Sequence, residues 1–274
     1  MPLEYIKDKN LPIIPRNVGQ AIYIEALMNP KFAAVICTGP AGSGKTYVAT
    51  VYGYYACQRG EYISVAVVPC ATESKIGAMP GDLDSKMDLD VQPMKNALRN
   101  YLLQSDRGLQ LELQRLREFG ARDVVEQILS AKGVPENAQR SIKQKLTDCV
   151  NGIWSYWFSN IPIEYARGRD FAHELAIYDE FQDQNQAQAN TLLTRLGENG
   201  KIIITGDVEQ IHAPYLDIEN NGLTYAAMRL YDNEMVAQVH FTEDEVIRHP
   251  LVKAIAERQY ADKRAEFLME SADR

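Results

Sequence analysis

The residues best suited to chemistry in this 274-residue sequence are Gly39-Pro-Ala-Gly-Ser-Gly44-Lys45-Thr46. They fit G-x-x-x-x-G-K-[ST] at every specified position. A triphosphate is a dense anion, and backbone N–H groups can surround it only where no Cβ intrudes, which calls for Gly39, Gly42 and Gly44. A helix opening at about Lys45 points its positive dipole end at the phosphates. The Lys45 ammonium can bridge the β- and γ-phosphates, and the Thr46 hydroxyl can ligate Mg²⁺. The candidate nucleotide-binding residues are therefore Gly39, Pro40, Ala41, Gly42, Ser43, Gly44, Lys45, Thr46 and the adjoining Tyr47.

Such a loop needs a carboxylate at the end of a neighbouring strand to hold magnesium. Leu175-Ala-Ile-Tyr-Asp179-Glu180 is apolar and ends in two acids. Asp179 is the candidate for Mg²⁺, through its water shell. Glu180 is the candidate to orient or deprotonate an attacking water, a role that hydrolysis needs and phosphoryl transfer to a metabolite does not. A further strand end, Ile202-Ile-Ile-Thr205-Gly206-Asp207-Val-Glu-Gln210, offers Gln210 and Thr205 to sense the γ-phosphate, with Asp207 to support the metal shell or orient a neighbour. A positioned arginine contributes roughly 10³–10⁵ in rate to such chemistry. Arg167, Arg169, Arg195 and Arg248 are the candidates, and the sequence does not say which reaches the nucleotide or whether one acts across a subunit boundary.

The elements that position these residues follow from the apolar pattern. Val18, Ala21, Ile22, Ile24 and Leu27 predict a helix over 17–28, with Asn17 as N-cap and Asn29-Pro30 as its end. Phe32–Thr38 reads as a strand buried on both faces, followed by the glycine-rich turn and a helix from Lys45 to about Arg59, which Gly60 stops. Further strands are expected at Tyr62–Val68 (ended by Pro69), His173–Tyr178, Lys201–Thr205 and Met235–Phe241. Helical patterns at Gln184–Leu196, Leu223–Tyr231 and Leu251–Arg264 separate most of them. The fold class is therefore α/β: a mostly parallel sheet with helices on both faces. Residues 1–274 read as one domain, with residues 1–30 as an N-terminal arm and helix. A helical insertion interrupts the rhythm over about 94–152. Between Arg99 and Val150 there are nine Lys/Arg and seven Asp/Glu, so this is the least acidic region.

Composition sets outer bounds. Hydrophobic residues are 46% of the chain, enough for a sizeable core. The net charge of -8 is unlike that of a dedicated nucleic-acid binder, although a local basic channel can sit on an acidic body. Cys37, Cys57, Cys70 and Cys149 form no metal-binding spacing and read as reduced thiols. The N-terminus lacks the pattern of a signal peptide, and no run approaches the ~20 apolar residues that span a bilayer. A cytoplasmic protein without membrane partners is expected.

Beyond the loop, the sequence contains Met-Pro-Gly-Asp-Leu (79–83), Tyr-Ala-Arg-Gly-Arg-Asp (165–170), Asp-Glu-Phe-Gln (179–182), Leu-Thr-Arg-Leu-Gly (193–197), Thr-Gly-Asp-Val-Glu-Gln (205–210) and Val-Ile-Arg-His-Pro-Leu-Val (246–252). In this order they resemble the PhoH family of P-loop ATPases, which are similar to the ATPase domain of superfamily 1 helicases. The resemblance covers about 30–90 and 160–262. It implies a RecA-like P-loop NTPase core, hydrolysis of ATP, association with RNA or single-stranded nucleic acid, and a homo-oligomer in the form of a hexameric ring. It also implies that Gln20 reads the adenine. The family usually has an arginine where this chain has Val68, and a small residue where it has Phe181. The insertion is longer than the family normally carries. No nuclease domain is evident, and compact versions of this kind are similar to those carried by phages.

Two other function classes compete with a nucleic-acid-coupled ATPase. One is a nucleotide-gated binding or assembly module with little turnover, distinguished by whether Glu180 matters. The other is a kinase, against which Asp179-Glu180 and Gly206-Asp207-x-x-Gln210 argue. The aromatics Trp154, Tyr156, Trp157 and Phe158 could stack on bases or pack in the core.

Overall fold

The apolar run after Phe32 becomes the strand next to one edge of a parallel sheet. The computed structural model describes residues 13–70, 89–104, 147–148 and 150–247. Its strands are β1 (Ala34–Thr38), β2 (Ser64–Pro69), β3 (Phe158–Asn160), β4 (Glu174–Asp179), β5 (Lys201–Gly206) and β6 (Val236–His240). Their order is β3-β2-β4-β5-β1-β6. Every pairing is parallel. Helices α1 (Val18–Met28), α2 (Lys45–Gln58), α3 (Gln92–Gln104), α4 (Ile163–Ala166), α5 (Gln186–Leu193) and α6 (Gly222–Arg229) lie along the chain. This is an α/β fold consistent with a RecA-like P-loop NTPase.

Side chains alternate across a strand, so each strand feeds two cores. Val35 and Cys37 of β1, Val65 and Val67 of β2, and Leu175 and Ile177 of β4 share one cluster with Tyr23, Leu27, Val48, Tyr52, Met94 and Leu98 of α1, α2 and α3. Ile36, Ala66, Val68, Ala176 and Tyr178 face the other way, against Ala189 and Leu192 of α5 and Leu223 and Ala226 of α6. Covering both faces is what lets the strands be continuously apolar.

Helix ends follow local chemistry. The Asn17 side chain accepts the Gln20 N–H at the start of α1. Asn185 forms a reciprocal capping box with Gln188, so α5 starts at Gln186 rather than Gln184. A short 3₁₀ turn, Phe181–Asp183, fills the gap after β4. α5 then stops at Leu193, three residues before the expected Leu196. Gly60, at φ +74°, follows α2.

Three further differences have physical reasons. β3 is a sixth strand the apolar pattern did not show, because it has three residues and only Phe158 is buried. Pro69 ends β2 from inside, paired with Asp179 at the last register position, where a missing N–H is tolerated. Trp154 and Phe158 are buried and stacked at 4.4 Å, so they pack rather than present faces to a ligand. Tyr156 remains exposed.

Cys37, Cys57 and Cys70 are buried free thiols. No helix among the described residues is long and apolar enough to cross a membrane. Arg248, Cys149, residues 79–83, the expected helix Leu251–Arg264, residues 1–12 of the arm and most of the expected insertion lie outside the described residues.

Candidate phosphate-binding and hydrolytic site

In a parallel α/β sheet the carboxyl ends of the strands carry the site. β1 ends at Thr38, and the loop from Gly39 delivers the chain into α2. Gly39, Gly42 and Gly44 have φ of +131°, +87° and +96°. Two of these glycines also answer to protein neighbours. A Cβ on Gly39 would stand 2.4 Å from the Phe241 carbonyl oxygen, and one on Gly44 would stand 2.6 Å from Gln20 Nε2. Part of the glycine requirement is thus set by the chain after β6 and by α1.

The loop is tied from several sides. Ser43 Oγ donates to Pro40 O at 2.9 Å, Gln20 Nε2 to Ser43 O at 3.0 Å, and Ile247 N to Gly42 O at 2.9 Å. Lys45 is buried within it. Its ammonium donates to Gly39 O at 2.6 Å and Pro40 O at 3.0 Å. Gln20 is buried, and its amide oxygen accepts the Arg16 N–H at 3.0 Å. The residue expected to read adenine is therefore also a strut under the loop.

Across the mouth of the sheet, Thr46 Oγ1 donates to the Asp179 carboxylate at 3.1 and 3.2 Å. β5 lies between β1 and β4, and its Thr205 hydroxyl donates to Asp179 Oδ1. Thr205 thus holds the carboxylate instead of facing phosphate directly. Desolvation, and then the charge of Glu180, push the Asp179 carboxyl above its ordinary value, against the hydrogen bonds from Thr205 and Thr46. A carboxylate so placed favours a positive charge beside it. Hydroxyl and carboxylate oxygens are the donors Mg²⁺ takes together with phosphate oxygens, so the donor set fits that ion.

Glu180 sits in the left-handed region, at φ +57° and ψ +44°. Such a conformation in a residue with a Cβ costs on the order of 1–3 kcal/mol and persists where its surroundings dictate it. The Glu180 carboxylate is held by Gln182. That fully buried side chain donates to Glu180 Oε2 at 2.7 Å and to Gln210 O at 3.2 Å, while its oxygen accepts the Asp207 N–H at 3.1 Å. Gln210 Nε2 in turn donates to Asp207 Oδ2 at 2.7 Å. Gly206 has to be glycine for this stitch, because its Cβ would fall 2.4 Å from Gln182 Oε1. Gln182 received no role from the sequence, although it stands in the quoted Asp-Glu-Phe-Gln.

A family model described as "PhoH-like protein" matches residues 12–260. The chain belongs to the PhoH family. It is 31% identical over 251 residues to a PhoH-like protein of Bacillus subtilis, covering 91% of this chain and 64% of that one. A PhoH-like protein of Synechocystis is 30% identical over 240 residues, 87% of this chain and 59% of its own length. Protein PhoH of Escherichia coli K12 is 26% identical over 242 residues, 88% of this chain and 56% of its own. The chain thus spans less than two thirds of the length of these relatives.

Measured against the PhoH-family expectation, the two departures inside the described residues are accommodated by packing. Phe181 stacks on Tyr178 at 5.6 Å in the second core cluster, and Val68 is wholly buried. The arginines distribute differently from the expectation. Arg195 is not brought to the loop. α5 runs back along β4, so Arg195 lies where β4 begins, with its carbonyl accepting the Phe171 N–H at 2.8 Å and Nη1 donating to Arg167 O at 3.3 Å. β4 has six residues, which at roughly 3.3 Å each separate the two ends by about 20 Å. Arg169 is held by Glu174 at 2.6 Å. Within one chain, these side chains do not meet the phosphate loop.

Proposed function

We propose that this PhoH-family chain binds ATP at Gly39–Thr46 and hydrolyses it, with the cycle coupled to RNA or single-stranded nucleic acid. The observation that carries the hydrolytic reading is the contact of Thr46 with Asp179 across β5, which puts Glu180 at the same strand end. Thr46 and Asp179 would hold Mg²⁺, which when bound screens the charge of the β- and γ-phosphates. Lys45 binds the phosphates from inside the loop. Glu180, fixed by Gln182, orients water or accepts its proton. Gln210, held on Asp207 beside Gln182, is the candidate that senses the γ-phosphate. Coupling to nucleic acid is supported by the family resemblance alone. A contribution from Arg195 requires a neighbouring copy, as in a ring, and Arg248 is the other candidate for that role.

The test is steady-state phosphate release from ATP with and without single-stranded RNA. Wild type should turn over. Glu180→Gln should keep ATP binding and lose about 10²–10⁴ in rate, the span of general acid–base catalysis. Lys45→Ala should lose tight binding or turnover. Turnover indifferent to RNA and DNA would shift the partner to a protein. Binding without phosphate release in any mixture would replace catalysis with a nucleotide-gated assembly role.

A further inference from the structure

Two elements hold the phosphate loop from outside it. One is the chain after β6. Its Phe241 N–H donates to Thr38 O at 2.8 Å, its Phe241 carbonyl lies against Gly39, and its Ile247 N–H donates to Gly42 O at 2.9 Å. The other is α1, whose Gln20 donates to Ser43 O at 3.0 Å and packs against Gly44. Each of the three loop glycines with positive φ is thus backed by one of these two elements.

One carboxylate joins the two. Glu245 ends the 3₁₀ turn Glu243–Glu245 that follows β6. Its Oε2 accepts the Thr242 N–H at 3.0 Å, inside its own segment. Its Oε1 accepts the Gly19 N–H at 2.6 Å, in the first turn of α1, where the helix dipole favours a negative charge. Gly19 leaves room for this bridge, since a Cβ there would stand 2.7 Å from both Glu245 oxygens. Ile247 stands two positions after Glu245, and Gln20 follows Gly19, so the bridge ties together the points from which both supports start. The sequence gave no role to Glu245, which closes the acidic run Glu243-Asp244-Glu245.

We infer that Glu245 is a positioning residue for the phosphate loop: its carboxylate locks the segment after β6 to α1, and the two together hold the loop backbone in the curvature that receives phosphate. This rests on the nucleotide-binding reading proposed above. A loop ordered before its ligand arrives binds more tightly, because less ordering is left to be done on binding.

The experiment is calorimetric titration of the full chain with Mg²⁺-ATP and, separately, with Mg²⁺-tripolyphosphate, well below the thermal midpoint of each variant. Glu245→Ala should weaken both ligands about tenfold, because the change acts on the part of the loop that meets phosphate. Glu245→Gln has one acceptor oxygen for two N–H donors, so it should weaken both about threefold, and it decides the matter if the alanine variant fails to fold. Gly19→Ala displaces the carboxylate and should weaken both ligands in the wild-type background, yet add nothing in the Glu245→Ala background. A purely structural role would lower the thermal midpoint and leave both affinities unchanged, which overturns the inference, as does weakening of ATP alone or additive effects of the two substitutions. A wild type that binds neither ligand overturns the nucleotide reading itself, which is a distinguishable result.

Discussion

Glu180, the side chain proposed to orient water, is held by its buried neighbour Gln182. Glu180 stands in a left-handed conformation while Gln182 ties its carboxylate to the ends of β4 and β5. Gln182→Ala removes both ends of that tie and leaves the Asp207 N–H and a Glu180 oxygen without this partner. Turnover should fall about 10–100-fold with ATP affinity little changed, because the interaction lost is one that matters at the reacting water. Stability should fall by about 1–3 kcal/mol, measured by denaturant unfolding. A variant that lost affinity and rate together would instead place Gln182 in ground-state binding. The glycines, the lysine and the acid pair were legible because their spacing states a chemistry. Gln182 was not, because a glutamine two residues beyond an acid gives no sign of being wholly buried. Gly206 offered the one available hint, a glycine at a strand end where another side chain has to pass.

The elements that position the loop were legible where apolar runs were long and both-sided, as in β1, α2 and β4. They were illegible where the pairing is short and polar, as in Phe158-Ser-Asn of β3, or where a cap resets a helix start, as Asn185 does. The direction of α5 also defeated the reading of Arg195. A residue close in sequence to Asp179 lies at the far end of the strand because the helix returns along it. α1 illustrates how one cap carries a tertiary function. Asn17 caps the helix and also donates through Nδ2 to Glu245 O at 2.8 Å, while Glu245 Oε1 accepts the Gly19 N–H at 2.6 Å. Asn17→Ala should therefore cost about 0.5–2 kcal/mol, toward the upper end of the range for a cap because the second bond goes too. Thermal unfolding checks the size. A loss below that range would mean the Glu245 tie holds α1 by itself.

At the scale of the whole molecule, pH dependence on the alkaline side follows from the core. Burial pushes the thiols of Cys37, Cys57 and Cys70 and the phenols of Tyr52 and Tyr178 above ordinary values of 9.0 and 10.0. The folded state keeps these protons longer than the unfolded chain does, so their contribution is complete below about pH 9 and is lost as pH rises through the ordinary range. Lys201 acts with the opposite sign. Desolvation lowers it from 10.5 to about 8, so its contribution grows across that window. Five groups outweigh one, and the thermal midpoint should drop by roughly 5–10 °C between pH 9 and pH 10. Lys201→Met should make the decline steeper. A flat midpoint over that interval would contradict the burial of the thiols.

The strand order also has a consequence for synthesis. Ala34 of β1 pairs with Ile202 of β5 and Val236 of β6, partners 168 and 202 positions further along the chain. At ribosomal rates the strand that leads into the phosphate loop waits on the order of ten to thirty seconds for its first neighbour. During that interval an apolar, β-prone segment has emerged with neither flank covered, the condition under which nascent chains recruit chaperones or aggregate. Ribosome-stalled chains ending before residue 200 should be protease-sensitive through residues 34–58, and protection should appear only once 201–240 has left the tunnel. The order of translation thus leaves the proposed nucleotide site among the last features of the molecule to exist.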